Sequence, residues 1–335
     1  MSDWRSDLLA WFDRDQRTMP WRKDFHSDPY AVWVSEVMLQ QTTVAAVIPF
    51  YERWMARFPT AEALAAASEE EVLQHWQGLG YYSRARNLHQ GVRTVVQFGW
   101  PQTVKEWKMI SGVGDYTAGA IGSIAQGIVV PAVDGNVERV FSRRFMVSDT
   151  GEKLKRFATF WAGRNVDPHR PGDWNQALME LGATVCTPKN PTCGRCPVAS
   201  SCEALQAGRV GEFPAPKPRK DWIELEHVTV VPFRGDRVGL VQAKRGEWWS
   251  GLWQPPRGEV GADLGIEIGE FVGRFKHVVT RHKIQLEVRR LEVEGHLDGL
   301  TWFEFADLDE VPMSAPGRRA INLALEASLR LPGLE

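Results

Sequence analysis

No run of apolar residues in this sequence is long enough to cross a bilayer as a helix, so no membrane-spanning segment is expected. The first residues, Met1-Ser2-Asp3-Trp4-Arg5-Ser6-Asp7, lack the basic start and apolar core of a secretory signal, and a cytoplasmic location is expected. A large excess of one charge is also missing. The net charge is −2 over 335 residues, so a nucleic-acid partner would have to be held by local sites rather than by a general basic field. That sum hides an asymmetry: residues 1–220 carry 26 Lys+Arg against 23 Asp+Glu, whereas residues 221–335 carry 14 against 19. Internal repeats and low-complexity tracts are absent. The length exceeds one ordinary domain, and two or three are expected.

Cysteine is scarce, and its placement is informative. The four cysteines, Cys186, Cys193, Cys196 and Cys202, fall in one stretch, "CTPKNPTCGRCPVASSC", spaced C-x6-C-x2-C-x5-C. A disulfide framework would spread its cysteines through a small secreted chain. Four thiolates on a tight loop can instead enclose one metal centre, and the residues alone admit zinc or an iron–sulfur cluster.

Strand-like alternation is hard to find before residue 205. Apolar residues recur three and four apart in "SDLLAWFDR", "TAEALAAASEEEVLQHWQGL", "SRARNLHQGVRTVVQF", "DYTAGAIGSIAQ", "NVERVFSRRFMV" and "DWNQALMELGATV", with Gly and Pro breaks between them. This part reads as all-α. The segment "GEFPAPKPRKDW" reads as a linker, after which "HVTVVPF", "DRVGLVQAKR" and "HKIQLEVRRLEVEG" alternate as strands and "APGRRAINLALEASLR" closes as a helix. A separate α+β domain follows the helical part, and a cut at the linker should leave the helical part with its own core.

One charge interrupts the apolar reach "DPYAVWVSEVMLQQT". Asp28 before Pro29 predicts an N-cap and first-turn proline. On that helix Val32, Trp33 and Leu39 share a side with Glu36. The ordinary explanation is a core glutamate paired with an arginine. The alternative is an acid whose pKa burial has raised, ready to donate a proton. A second carboxyl, Asp134 in "PAVDGNVER", precedes another helix; it or Asn136 can cap that helix, and the helix N-terminus would keep the aspartate ionised. Two carboxyls with pKa values pushed apart suit glycosidic cleavage: one protonates the leaving group, the other stabilises an oxocarbenium-like sugar. Gly112 and Gly114 form a G-x-G turn between two helical segments whose amides can hold a phosphate.

The series "PWR", "DPYAVWVSEVMLQQT", "GLGYYSRARNL", "GVGDYTAGAI", "AVDGNVERV", "NQALMELGA" and the cysteine spacing, in this order from about Pro20 to Phe213, resembles the adenine DNA glycosylase (MutY) family of the endonuclease III superfamily. The resemblance implies a multidomain chain: an all-α helix-hairpin-helix core, in which a six-helix barrel (21–130) lies beside a cluster domain (1–20 and 131–207). A linker (208–222) and an α+β Nudix-like domain (223–335) follow. It implies one [4Fe–4S] cluster on Cys186, Cys193, Cys196 and Cys202, and a monomer acting on double-stranded DNA with adenine opposite 8-oxoguanine or guanine. Glu36 would protonate adenine at N7, Asp134 would stabilise the sugar cation, and Tyr116 and Asn136 would support Asp134 and the catalytic water. Trp21, Arg22 and Gln176 would shape the pocket for the flipped-out base. Gln41 and Tyr81, with Leu39 beside the pocket, would fill the gap left in the duplex. Gly112 and Gly114 would grip the DNA backbone.

Relatives that also cut the strand carry a lysine at the position of Tyr116. No lysine occurs from 109 to 152, so base removal without strand cleavage is expected. An endonuclease III-type enzyme for oxidised pyrimidines is disfavoured by that tyrosine and by the extra C-terminal domain. A non-catalytic scaffold is disfavoured by the presence of both Glu36 and Asp134. In the C-terminal part "SGLWQPPRGEV" and "FKHVVTRHKIQL" resemble the family's lesion-reading segments, which makes Trp253, Thr280 and Arg281 candidates for 8-oxoguanine recognition. The family's Phe-Ser-His is Val279-Thr280-Arg281 here, and the stretch from Trp253 to Phe275 leaves little room for a helix. No acidic metal-binding helix of a working Nudix enzyme is visible in the sequence.

Overall fold

The computed structural model describes residues 3–23, 27–216, 221–295 and 297–328. They form two compact units: Met1–Ala67 with Ser83–Pro218, and Ser68–Tyr82 with Arg219–Glu335. Part of the expected linker, 217–220, lies outside the described residues.

The first unit is built of helices, with no strand among its described residues. The helix Pro29–Leu39 begins where the sequence expects: Asp28 accepts a hydrogen bond from the Tyr30 amide at 2.9 Å, and Pro29 occupies the first turn. Every residue from Tyr30 to Met38 on it is buried, the mark of a helix enclosed on all sides. It packs on the helices Val44–Arg57 and Asp115–Gln126, and Trp33 meets Trp107 edge-on at 5.4 Å. A second core joins Trp4–Asp15, Gly135–Arg144 and Pro171–Thr184 through Leu8, Phe12, Phe141, Trp174 and Leu181. There the backbone of Pro171–Thr184 comes close to Asn136. A Cβ on Gly182 would stand 2.5 Å from that of Asn136, so only glycine permits the approach. Trp107 lies in the short helix Val104–Trp107, and the turn after it passes through Gly112, at φ +76°, to Gly114, which starts Asp115–Gln126.

The stretch "TAEALAAASEEEVLQHWQGL" is two helices rather than one, Ala61–Ala66 and Glu69–Trp76. Ser68 restarts the helix by accepting from the Glu71 amide at 3.1 Å. The second of these helices belongs to the unit that contains the C-terminal sheet. A cut at the linker would therefore separate residues 68–82 from the rest of their unit.

The second unit holds a seven-stranded sheet of β1 (Ile223–Arg234), β2 (Arg237–Gln242), β3 (Trp253–Gln254), β4 (Arg257–Glu259), β5 (Glu270–Val279), β6 (His282–Glu292) and β7 (Thr301–Glu304). Its order is β3-β2-β1-β6-β5, with β4 also on β1 and β7 on β2; β1 and β6 run parallel. The helix Ala315–Ser328 packs on β5, β6 and β1 over a core of Phe233, Leu240, Leu286, Val288 and Ile321. Among the described residues no helix lies between β4 and β5. β5 carries a bulge between Phe271 and Gly273, which breaks the alternation that would have marked it in the sequence.

Candidate active site

Glu36 is 7% exposed on the buried helix Pro29–Leu39, and it opens into a cavity of about 790 Å³. Burial drives its pKa up to about 7, assisted by the charge of Asp134 and opposed by the Tyr116 hydroxyl and the Arg22 guanidinium. A carboxyl in this setting holds its proton at a pH where an ordinary glutamate has lost it.

Tyr116, on the first turn of Asp115–Gln126, donates its hydroxyl to Glu36 Oε2 at 2.5 Å and lies 3.2 Å from Met179 Sδ. This differs from the expected pairing with Asp134. The packing of Pro29–Leu39 against Asp115–Gln126 brings the phenol to the glutamate instead. Burial and the two carboxyl charges push the Tyr116 pKa well above its ordinary value, so it stays a phenol and a donor.

Asp134 caps the helix Gly135–Arg144. Its Oδ1 accepts from the amides of Asn136 and Val137, each at 2.9 Å, and its Oδ2 accepts from Asn136 Nδ2 at 2.6 Å. Burial raises its pKa above the ordinary aspartate value, while these three hydrogen bonds and the Arg139 charge pull the other way. The bonds all favour the anion, the form a developing cation needs beside it. Asn136 is itself fixed, since Arg139 Nη2 donates to its Oδ1 at 2.8 Å.

The cavity wall brings together most of the residues singled out in the sequence: Trp21, Arg22, Leu39, Gln41, Tyr116, Asp134, Asn136 and Gln176 join Glu36. Trp21 is buried edge-on to Tyr51, and Arg22 donates to Gln176 Oε1 at 3.0 Å. Gln41 stands at φ +60° just past the end of its helix. Tyr81 is not among the lining residues: it is 49% exposed, at φ +48° in the turn after Gly78-Leu79-Gly80, and belongs to the other unit.

Two lining residues, Arg17 and Glu180, are not apparent from the sequence. Glu180, 1% exposed at its side chain, is gripped by Arg17 Nε at 2.6 Å and Arg22 Nη2 at 3.0 Å. Burial alone would push Glu180 up; the two arginines hold it below the ordinary value. The available signal was its position four residues beyond Gln176, on the same helix face.

At the helical turn, Gly112 packs over Asn87, where an added Cβ would lie 2.6 Å from the asparagine Cβ. Lys108 and Asp115 close the turn with an exposed ion pair at 2.6 Å.

The cysteine loop runs through two short 3-10 turns, Cys193–Arg195 and Ala199–Ser201. Burial pushes the Cys196 thiol up to about 11, the other three cysteines adding to the rise, and burial also raises Cys202. Arg143 Nη1 donates to Cys186 Sγ at 3.3 Å. Among the described residues no three His, Cys, Asp or Glu side chains are gathered as a ready single-ion site. The donor set, four soft sulfurs on one loop with a guanidinium against one of them, fits a thiolate-ligated metal centre, since bound metal removes the cost of ionising buried thiols.

In the second unit Thr280 and Arg281 form the tip of the β5–β6 hairpin, with Thr280 at φ +53° and its hydroxyl 3.4 Å from His282 Nδ1. Trp253 lies on β3, across β2 and β1 from β6, and packs on Phe303 at 4.9 Å. It is not brought to the hairpin tip. No helix of the described residues is long and apolar enough to cross a membrane.

The family model for HhH-GPD superfamily base excision DNA repair proteins matches residues 34–163. An adenine DNA glycosylase of Mus musculus is 51% identical over 229 residues, 65% of this chain and 44% of the mouse protein. One of Buchnera aphidicola subsp. Schizaphis graminum is 34% identical over 283 residues, 82% of this chain and 80% of that protein. A solved structure described as a thermostable thymine-DNA glycosylase superposes with a TM-score of 0.56 at 26% identity, covering 61% of this chain and 95% of that one. The chain thus spans less than half the length of the mouse relative.

Proposed function

The chain belongs to the adenine DNA glycosylase family of the HhH-GPD superfamily, and from that premise we propose that it removes adenine mispaired with 8-oxoguanine or guanine in double-stranded DNA. The observation that carries the reading is a buried acid, with its pKa at about 7, in the same cavity as a carboxylate held by three anion-favouring hydrogen bonds. The adenine leaves the stack and enters the cavity, walled by Trp21, Arg22 and Gln176. Glu36 delivers its proton to N7, so the base departs neutral rather than as an anion. Asp134, on the same cavity wall, stabilises the oxocarbenium-like sugar until water adds. Tyr116 orients Glu36 and Asn136 orients Asp134. Leu39, Gln41 and Tyr81 support the opened duplex, and Gly112 and Gly114 hold its backbone through their amides.

Cys186, Cys193, Cys196 and Cys202 would hold a [4Fe–4S] cluster, whose contribution when bound is to order the loop that carries Lys189 and Arg195 toward phosphates. The C-terminal sheet would act as a Nudix-like reader of the lesion, with Thr280 and Arg281 at the β5–β6 hairpin tip as its contacts, while Trp253 packs on Phe303 elsewhere in the sheet. The protein would act as a monomer.

With Tyr116 where strand-cutting relatives have lysine, the reaction stops at the abasic site. Reaction with a duplex containing adenine opposite 8-oxoguanine should leave an intact strand that breaks only after alkali, with no adduct after borohydride. Strand cutting without alkali, or a trapped adduct, would overturn this part of the reading.

A further inference from the structure

The core face of the C-terminal sheet changes character toward the start of β1. There it carries His227, Arg257, His277 and His282, with Trp248 and Trp249 of the β2–β3 connection packed against them. His227 on β1 pairs with Glu259, and Arg257 on β4 pairs with Thr229, so the two side chains stand diagonally across neighbouring strands. The Arg257 guanidinium lies over Trp249 at 4.4 Å and over Trp248 at 5.7 Å. His227 stacks on Trp248 at 6.1 Å, His282 meets the same ring at 5.0 Å, and His277 meets Trp249 at 5.6 Å.

This cluster holds buried polar groups and no carboxylate paired with its arginine. Arg257 Nη1 is buried without a hydrogen-bond partner, and so is Nδ1 of His227, a residue 8% exposed. No carboxylate forms an ion pair with Arg257 among the described residues. Glu247 reaches it only as a distant charge, its side chain being turned to the Lys244 amide at 2.8 Å, and Glu259 acts on His227 rather than on the arginine. Arg319, over Phe275 at 4.4 Å, adds a second positive charge that acts on His277. Burying an unpaired guanidinium costs several kcal/mol, and stacking on two indoles returns only about 1–2 of them. The three imidazoles can present further N–H groups toward the same point, while Trp248, Trp249, His277 and His282 are only half-buried, so the point is reachable from solvent.

We propose that Arg257, seated on Trp248 and Trp249 and flanked by His227 and His277, forms a binding site for a phosphate group. A planar guanidinium fork matches two phosphate oxygens, and the indole floor fixes its orientation. The phosphate belongs either to a nucleic-acid backbone or to a free phosphate compound. The inference stands apart from the glycosylase reading, because anion binding is measured without release of any base.

Isothermal titration of the full chain with inorganic phosphate, at constant ionic strength in chloride, tests it. Wild type should show a saturable site, Arg257→Lys should bind several-fold more weakly because it keeps the charge but loses the fork, and Arg257→Gln should lose at least tenfold. Phosphate bound elsewhere is common to all three proteins and cancels in the comparison. The source is read from the salt dependence of duplex binding. A slope smaller by about one in Arg257→Gln assigns the phosphate to the DNA backbone, and an unchanged slope assigns it to a free phosphate; both support the site. Should Arg257→Gln not fold, as judged by its melting curve, the weakening in Arg257→Lys carries the test alone. Equal phosphate affinity in wild type and every folded variant, or no saturable binding in wild type, overturns the proposal.

Discussion

Replacing Glu36 by glutamine should have two opposite effects, and their combination is diagnostic. Burial lifts the Glu36 pKa from 4.5 to about 7 in the folded protein. At neutral pH this raises the protonated fraction from roughly 0.3% to about a half, on the order of a 150-fold gain in working acid. The same shift has a stability consequence. The stabilising protonated form is fully present below about pH 4.5, the unfolded value, and its benefit is lost as pH rises through about 7. The loss at high pH is about 3 kcal/mol, at 1.4 kcal/mol per pH unit. Glu36→Gln is neutral at every pH and avoids it. The variant should therefore lose base release while gaining about 2–3 kcal/mol over wild type between about pH 5 and about pH 8.5, on the order of 5 °C in melting temperature. Thermal unfolding of both proteins at the two pH values, beside single-turnover base release, measures this. A melting difference that does not change with pH would refute the claim that Glu36 is stored as a buried neutral acid, even if activity were lost.

Tyr116→Phe removes the hydroxyl that stabilises the Glu36 anion, so the Glu36 pKa should rise further. The falling limb of the pH–rate profile should then move up by about one pH unit; an unmoved or lowered limb would contradict the bond's assigned role. Cys196→Ser should remove the iron and the brown colour of the purified protein and weaken duplex binding. Stoichiometric zinc in wild-type protein purified without oxygen would contradict an iron–sulfur centre. Deleting residues 221–335 should expose residues 68–82 to protease, because the rest of their unit is gone, and should cost most of the preference for 8-oxoguanine over guanine. Thr280→Ala alone should cost about 1 kcal/mol of that preference, roughly fivefold on matched duplexes. A truncated protein that resists protease at 68–82 and still discriminates would refute both the unit boundary and the role of the sheet.

The features legible in the sequence alone are local in kind. Asp28-Pro29 marks its helix through one cap and one ring, and Glu36 follows on an apolar face at helical spacing. Asp134 can be placed at a helix start for the same reason, but the sign of its pKa shift cannot, since burial is a property of the surrounding fold. The partner of Tyr116 is also out of reach. Glu36 lies 80 residues away, and only the packing of two helices chooses it over Asp134. The Arg17–Arg22–Glu180 network spans 158–163 residues of sequence, and its one local trace is the four-residue spacing of Glu180 from Gln176. The helix restart at Ser68 is different in kind, because Ser68-x-x-Glu71 does announce it, yet the apolar spacing runs on through the break. β5 hides behind its own bulge at Phe271–Gly273.

The central claim is that Glu36 and Asp134 together break an N-glycosidic bond to adenine. The most direct measurement is the amount of free adenine released, in a single turnover, from a duplex with adenine opposite 8-oxoguanine by wild type, Glu36→Gln and Asp134→Asn. The account predicts one adenine per wild-type active site and none above background from either variant, with all three binding the duplex. No adenine from wild type, or wild-type release from either variant, would contradict it.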